Sequence, residues 1–389
     1  MTRRTLLSMA AALPAFSAGA ADVSSELIFP PESWHNHSSS IVELPNGDLF
    51  VCWFHGSGER TADDVKILAS RRAKGAKEWS APFELADTPN FPDTNCTMFV
   101  DSKKRLWLFW PVILANEWET ALMKYKRSSN YNQAGPPRWD DAGNVLIIPK
   151  NMAERMQEVW KQDLKPTPFG RYATRLVAMA SDKLTSRLGW FTRTHPVELP
   201  SGRILLPLYS DGFSFSLIAI SDDGGETWFG SEPIVGYGNI QPSVVRKKDG
   251  TLVAFMRDNG PPPKRIHSSV SKDEGVSWTP AQDTELPNPG ASVEAIALRD
   301  GRWIIVYNDL PSGRHSLAVS MSDDEGATWK WTRHLEQKPE GRYHYPSVIQ
   351  AQDGSVHVTY SYFVREGGKE VKSIKHARFE PLWITSTSN

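Results

Sequence analysis

The chain has 389 residues and a formal net charge of -1, from 44 Lys and Arg against 45 Asp and Glu. Its basic residues are scattered rather than gathered in a stripe, which argues against a nucleic-acid partner. Length alone permits one large domain or two ordinary ones.

The first twenty residues, MTRRTLLSMAAALPAFSAGA, have the pattern of an export signal. Arg3 and Arg4 precede a short apolar run, and the segment ends in small residues. The paired arginines indicate the twin-arginine type, with an ordinary secretory signal as the alternative. The run is too short and too rich in alanine for a membrane anchor. The sequence therefore predicts a signal peptide over 1–20 and a periplasmic or secreted protein.

Two cysteines follow, Cys52 in LFVCWF and Cys96 in DTNCTMF. After export they are compatible with one disulfide and equally with two buried free thiols. Their spacing matches no metal site, and no cofactor is expected.

A polar turn followed by an apolar strand occurs six times along the chain. The copies are LPNGDLFVCWF (44–54), VDSKKRLWLFW (100–110), LPSGRILLPLY (199–209), KKDGTLVAFM (247–256), LRDGRWIIVY (298–307) and AQDGSVHVTY (351–360). From Gly202 onward the turn glycines recur roughly every fifty residues, a period that suits a four-stranded antiparallel blade.

The interval from Gly47 to Gly202 is too long for two blades, and the excess falls at about 145–190. Within it, NMAERMQEVW (151–160) places its apolar residues on one helical face, and Asn151 and Glu154 are spaced as a capping pair. The sequence predicts a short helical insertion here.

An eight-residue box follows the strands of three units: SDDGGETW (221–228), SKDEGVSW (271–278) and SDDEGATW (322–329). Weaker forms stand at 70–79 and 128–139. The third-position Asp suits a brace for backbone N–H groups of a turn, and the fifth-position Gly suits a positive φ. The repeats predict an all-β chain, a six-bladed β-propeller forming one domain over 25–385. A two-sheet sandwich and a seven-bladed ring are the alternatives.

The box resembles the Asp-box of sialidases. Such boxes also occur in propellers with other functions, so the resemblance implies the fold more strongly than the activity. Sialidases hold the carboxylate of their sugar with three arginines, attack with a tyrosine activated by a glutamate, and use an aspartate as acid and base.

The resemblance implies three site residues by position. Tyr345 in YPSV matches the nucleophile, Arg257 in DGTLVAFMR matches the second arginine, and Arg314 ahead of the last box matches the third. Two positions depart from the family. HSSSIV places His37 where the first arginine stands, and NIQPSVV places Gln241 where the activating glutamate stands.

Three acids are candidates for the missing functions. Glu59 and Asp64 in GSGERTADDVKI lie where the family has its acid/base aspartate, and Glu294 in GASVEAIAL is a candidate to activate Tyr345 or to pair with a site arginine. His35 joins His37 as a candidate substrate ligand; without a third ligand the pair predicts no metal site. Trp110 and Trp118 are candidates for stacking on a sugar.

The leading hypothesis is an exported sialidase-like glycoside hydrolase that removes a terminal acidic sugar, sialic acid or similar, from a glycan. One alternative is a hydrolase or lyase for a uronate-containing glycan, with His37 and Tyr345 as base and acid. The other is a propeller that binds glycans without catalysis. All three hypotheses predict a glycan as the partner. They predict no nucleic-acid partner and no membrane anchor.

Overall fold

The computed structural model describes residues 23–386, so the signal-peptide prediction for 1–20 lies outside the described part. Six four-stranded antiparallel sheets follow one another along the chain. They are the blades of a six-bladed β-propeller, and the predicted fold is confirmed.

The first described strand, β1, is Ser24–Leu27. Blade 1 contains β2 (His35–Glu43), β3 (Leu49–Gly56), β4 (Lys66–Arg72) and β5 (Phe83–Ala86). Blade 2 contains β6 (Thr97–Val100), β7 (Leu106–Ile113), β8 (Ala121–Ser128) and β9 (Asp141–Asn144). Blade 3 contains β10 (Val197–Glu198), β11 (Ile204–Ser210), β12 (Phe215–Ser221) and β13 (Phe229–Gly230).

Blade 4 contains β14 (Asn239–Arg246), β15 (Leu252–Asp258), β16 (Arg265–Ser271) and β17 (Gln282–Pro287). Blade 5 contains β18 (Glu294–Ala297), β19 (Trp303–Tyr307), β20 (Ser316–Ser322) and β21 (Trp331–Gln337). Blade 6 contains β22 (Arg342–Gln350), β23 (Val356–Glu366) and β24 (Lys369–Phe379), and its fourth strand is β1.

The ring closes where β1 pairs with β24. The pairing is antiparallel and sets Ser24 opposite Arg378 and Leu27 opposite Lys375. β1 thereby covers part of the outer edge of β24, whose backbone groups would otherwise be unpaired there.

Apolar side chains fill the space between neighbouring blades, because the middle strands of each blade are buried on both faces. Cys52 and Cys96 belong to the layer between blades 1 and 2. Both are free thiols, and their sulfur atoms lie 3.3 Å apart. Of the two alternatives left open by the sequence, the structure has the buried thiols.

Three helices connect β9 to β10, in the interval where the helical insertion is predicted. They are α1 (Met152–Val159), α2 (Pro168–Ser181) and α3 (Lys183–Arg187); a fourth, α4 (Leu382–Thr385), follows β24. No helix within residues 23–386 is long and apolar enough to cross a bilayer.

The expected capping pair of α1 does not form. Asn151 adopts a left-handed conformation, φ 47°, without a side-chain cap, and its amide donates to Glu232 at 3.0 Å. The first turn of α2 has the better cap, because Thr167 Oγ1 accepts from Gly170 N at 3.0 Å.

The boxes form turns at the end of the third strand of blades 3, 4 and 5. In the last box, Asp324 accepts from Thr328 N at 2.8 Å, from Thr328 Oγ1 at 2.6 Å and from Ser322 Oγ at 2.7 Å. These bonds lower the pKa of Asp324 to about 2. Gly326 has a φ of +82°, as the turn requires. The aspartates therefore brace turns.

We expect Asp324→Ala to lower the free energy of unfolding by about 1 to 2 kcal/mol, because the three donors lose their acceptor. The adjacent Asp323 forms only a surface ion pair with Lys330, so Asp323→Ala is a matched control expected to change stability by less than about 0.5 kcal/mol. Urea denaturation measures both, and equal losses would contradict the assigned role.

Candidate functional site

The candidate site lies where the inner strands of the blades begin. β2, β14 and β22 each contain a bulge at this end, where the pairing register shifts. The bulge residues Ser38, Gln241 and Tyr345 have φ values of 57°, 58° and 57°, a conformation that non-glycine residues rarely adopt. Bulges redirect side chains next to functional sites. Here they gather the first residues of the inner strands around the central axis.

Tyr345 lies at the centre of a hydrogen-bonded chain. Its hydroxyl oxygen accepts from Arg257 Nη1 at 2.8 Å and from Gln241 Nε2 at 3.1 Å. The same Gln241 nitrogen donates to Tyr209 Oη at 3.2 Å, and Asn95 donates to Tyr209 at 2.7 Å. The two donors on Tyr345 stabilise negative charge that develops on its oxygen.

Arg257 and Arg314, the two arginines that the resemblance to sialidases implies, both approach Tyr345. The guanidinium of Arg314 lies 5.8 Å from the centre of the Tyr345 ring, and its Nη2 donates to Gly290 O at 2.8 Å. Within residues 23–386, neither arginine has a carboxylate within ion-pair distance. Two such unpaired guanidinium groups side by side form a site for an anion.

A third arginine, Arg193, was not found by sequence reasoning. It comes from the segment before β10, is only 1% exposed, and lies 5.2 Å from the centre of the Tyr345 ring. Its Nη2 donates to Pro346 O at 2.5 Å and its Nη1 to Ser39 O at 3.5 Å. Arg193 therefore lies against the ring from the buried side.

His37 packs against Tyr345. The two ring centres are 4.2 Å apart, and His37 Nδ1 lies 2.7 Å from Ser361 Oγ. Burial, with nearby His344 and His35 and the site arginines, holds the pKa of His37 well below its usual range. His37 is thus a neutral imidazole at neutral pH, able to accept a proton but unable to act as a cationic clamp.

The two acids of the 56–67 loop occupy different environments. Glu59 lies 2.9 Å from His35 Nε2; burial alone would raise its pKa, but His35, Arg314 and Arg60 bring it below the usual value. Asp64 accepts from the backbone N and the hydroxyl of Ser57, both at 3.0 Å, and so holds the loop.

Asp211, at the end of β11, is an acid that the sequence analysis missed. Burial raises its pKa, and the nearby Glu119 and Glu59 carboxylates act in the same direction against Arg257. Its interaction with Arg257, which donates to Tyr345, places Asp211 near the hydrogen-bonded chain. A carboxyl group with a raised pKa beside an anion site is suited to donate a proton.

Glu294 lies deeper in the ring. Its Oε1 accepts from His195 N at 2.8 Å and contacts His195 Nδ1 at 2.9 Å, and its Oε2 accepts from Val348 N at 2.8 Å. None of its described contacts involves Tyr345, Arg257 or Arg314. Glu294 and His195 instead line a separate cavity of about 890 Å³. Its walls are formed by the C-terminal ends of the inner strands, opposite the ends that surround Tyr345. The expectation that Glu294 activates Tyr345 has no direct contact to support it.

The two tryptophans proposed for stacking differ in access. Trp110 is wrong as a candidate, because it is 1% exposed in the layer between blades 1 and 2 and donates to Asp93 at 2.7 Å. Trp118 is half-buried under the guanidinium of Arg60. Among the described residues, no cluster of three or more His, Cys, Asp or Glu side chains could hold a metal ion.

The family model of the BNR repeat-like domain matches residues 47–150 and 179–358. The chain belongs to the BNR repeat-like domain family. It is thereby a member of the sialidase and BNR propeller superfamily, in which sialidase-like glycoside hydrolases are found. The match is interrupted over 151–178, the interval of α1 and most of α2.

Relatives with related folds are distant in sequence. An anhydrosialidase of Macrobdella decora is 24% identical over 205 residues, which are 48% of this chain and 26% of the relative. A leech intramolecular trans-sialidase has a TM-score of 0.69 at 14% identity, covering 93% of this chain and 71% of its own. A protein of unknown function from Dyadobacter fermentans has a TM-score of 0.67 at 17% identity, covering 92% and 99%. The alignment thus spans about a quarter of the curated relative, and the solved structures indicate the fold.

We expect the Glu294 and His195 pair to make stability depend on pH. Burial alone would lower the pKa of His195, but Glu294 raises it above 6.5; burial alone would raise the pKa of Glu294, but His195 and Arg193 lower it below 4.5. The stabilisation that comes from the raised pKa of His195 is complete below pH 6.5 and is lost as pH rises through that pKa. The stabilisation that comes from the lowered pKa of Glu294 is complete above pH 4.5 and is lost as pH falls through that pKa. The pair thus contributes most between 4.5 and 6.5.

Glu294→Gln should cost about 3 kcal/mol in that range, since it leaves His195 buried without its partner. Denaturation by urea from pH 4 to pH 9, taken as the difference between wild type and variant, isolates the pair from other buried histidines. A difference that does not vary with pH would contradict the ion pair.

Proposed function

We propose that this protein is a glycoside hydrolase that removes a terminal acidic sugar, sialic acid or a close relative, from a glycan. The observation that carries the proposal is the convergence of Arg257 and Arg314 on Tyr345 without carboxylate partners in the described chain. Two guanidinium groups beside a candidate nucleophile suit a sugar that carries its own carboxylate.

Tyr345 is the proposed nucleophile. Its oxygen forms a bond to the anomeric carbon while the bond from that carbon to the leaving oxygen breaks, and the phenolic proton passes to solvent water. A second water then attacks the same carbon, the bond to the tyrosine oxygen breaks, the acidic sugar is released and Tyr345 regains its proton. Arg257 and Gln241 donate to the same oxygen and stabilise charge on it during the attack. With Gln241 in the place of the family's glutamate, these donors take over part of the activation that a base would supply.

Asp211 is the proposed proton donor to the leaving oxygen. Its raised pKa keeps a larger protonated fraction near neutral pH, whereas the lowered pKa of Glu59 keeps that side chain ionised. The Glu59 carboxylate, 2.9 Å from His35 Nε2, then accepts hydrogen bonds from sugar hydroxyls, and His35 lines the same part of the site. His37 lines the sugar site as a neutral group.

A second candidate function is a lyase for uronate-containing glycans. The neutral imidazole of His37 beside Tyr345 favours it, because a lyase needs a base at the carbon next to the carboxylate. His37 would remove that proton, a carbon–carbon double bond would form, and the leaving oxygen would take a proton from Tyr345 as its bond breaks.

We further propose that the protein is exported. Residues 1–20 have the pattern of a signal peptide, and the propeller would be one domain over 25–385 that acts on glycans in the periplasm or outside the cell.

We expect wild type to release the acidic sugar from a panel of acidic oligosaccharides, and Tyr345→Phe to lower kcat by about a thousandfold or more. Tyr343→Phe is the matched control, because Tyr343 lies on the same strand but packs into the core between blades 5 and 6. Chromatography of the products, with ultraviolet absorbance for an unsaturated uronate, separates hydrolysis from elimination. Binding without any product would contradict both enzymatic proposals.

Substrates whose leaving groups differ in their need for a proton can show which of Asp211, Asp64 and Glu59 is the proton donor. If Asp211 is the donor, Asp211→Asn should slow cleavage of a methyl glycoside by about a hundredfold and of a nitrophenyl glycoside far less, since nitrophenolate leaves without a proton. The alkaline limb of the pH profile should also disappear. The same leaving-group dependence in Asp64→Asn or Glu59→Gln, but not in Asp211→Asn, would reassign the role.

A further inference from the structure

The cavity of about 890 Å³ lies on the face of the propeller opposite the candidate site. The inner strands of all six blades line it near their C-terminal ends, and His195 and Glu294 lie at its inner end. None of Arg257, Arg314 and Tyr345 lines it. Its volume is in the upper part of the range for small-molecule sites. The cavity is thus a second candidate site, separate from the funnel.

The wall of this cavity is apolar on every side. Each inner strand contributes an aliphatic or aromatic side chain: Val42, Phe99, Val197, Val245, Ile296 and Ile349. Of these six, Phe99, Val197, Ile296 and Ile349 are only half-buried. On β14 the lining extends from Ser243 to Arg246, about 10 Å of strand. Apolar surface that faces water in this way is stabilised when a ligand covers it.

The polar atoms inside the cavity already have protein partners. His195 Nδ1 lies 2.9 Å from Glu294 Oε1, and His195 Nε2 lies 2.8 Å from a backbone oxygen of blade 1. Ser243 Oγ accepts from Ala295 N at 3.0 Å. Among the described residues that line the cavity, Phe99 is the only Phe, Tyr or Trp. A sugar would therefore find few partners for its hydroxyl groups and little ring surface, whereas an alkyl chain needs neither.

The mouth of the cavity is positively charged. Its exposed cations are Lys104, Arg246 and Arg299. Within residues 23–386, none of the three has a carboxylate within ion-pair distance. Of the carboxylates in the lining, Glu294 pairs with His195, Asp101 pairs with an arginine outside the lining at 2.6 Å, and Glu43 accepts from a backbone N–H at 2.6 Å. Three unpaired cations against one carboxylate without a cationic partner favour an anionic group at the mouth.

We propose that this cavity binds a medium-chain fatty acid. The alkyl chain fills the space inside the apolar wall and ends near His195 and Glu294. The carboxylate lies at the mouth, near the cations of blades 4 and 5, Arg246 and Arg299. The proposal goes beyond the proposed glycoside hydrolase and does not rest on it, because the ligand, the face of the propeller and the residues are all different.

Isothermal titration calorimetry with sodium decanoate tests the proposal. We expect one molecule to bind per chain. Binding should tighten about tenfold for each two-carbon step from hexanoate to octanoate to decanoate, because each CH₂ group that is buried adds to the affinity. Decanol, which lacks the charge, should bind about threefold or more weakly than decanoate. Many molecules bound per chain, no dependence on chain length, or equal binding of decanol and decanoate would overturn the site.

Variants at two exposed positions of the lining locate the bound acid. Ala297→Trp fills the cavity and should abolish binding. Arg246→Gln should weaken decanoate about threefold to tenfold and leave decanol unchanged. Arg171→Gln, at an exposed arginine of α2 outside the lining, is the matched control. Circular dichroism shows whether each variant folds. Unchanged affinity in Ala297→Trp, or equal weakening in Arg246→Gln and Arg171→Gln, contradicts binding in this cavity.

Two further measurements exclude other places for the acid. Arg257→Gln removes an anion-binding group of the funnel and should bind decanoate as wild type does; loss of binding in this variant would place the acid in the funnel and overturn the proposal. Sedimentation with phosphatidylglycerol vesicles tests a membrane surface as the source of the alkyl chain. Binding to the vesicles without binding to decanoate would overturn the cavity as a site for the free acid. None of these measurements requires turnover of a glycan.

Discussion

The rest of the site depends on the ion pair between the buried carboxylate of Glu294 and His195. The carboxylate binds His195 from blade 3 and the backbone of Val348 from blade 6, and His195 in turn lies 2.8 Å from Ile41 O in blade 1. Glu294 itself belongs to blade 5, so four blades meet at one ion pair. A charge this deeply buried is tolerated only with partners on each oxygen, which fixes the relative positions of the inner strands.

The site above this ion pair concentrates positive potential on one aromatic ring. Arg193 lies against Tyr345 from within, and Arg257 and Arg314 approach from the funnel. Nearby histidines are kept neutral by burial and by these arginines. This chain lacks one arginine and one glutamate of the family pattern here, yet it still surrounds the ring with three guanidinium groups. Only Arg257 and Arg314 approach the ring from the funnel, so the carboxylate of the proposed substrate would be held by two arginines and not by three.

Local repeats made the fold predictable, because each box and turn is specified within a few residues. The resemblance to sialidases, aligned on these repeats, pointed to Arg257, Arg314 and Tyr345. Arg193, His195 and Asp211 were missed, since no local pattern marks them and their roles come from contacts with residues far away in sequence. Asn151 failed as a cap for a similar reason: its amide has a partner, Glu232, eighty-one positions further along the chain. Tertiary contacts overrode local preference at each of these positions.

The pairing of β1 with β24 has a consequence for how the protein is made. Residues more than three hundred positions apart must meet before the sixth sheet is complete. During synthesis β1 emerges first and has no strand to pair with until nearly the whole propeller has been translated. Contacts between such distant residues form slowly because of the entropy of closing a long loop. We therefore expect closure of the ring to come late in folding, after the strands of the other five sheets have been synthesised.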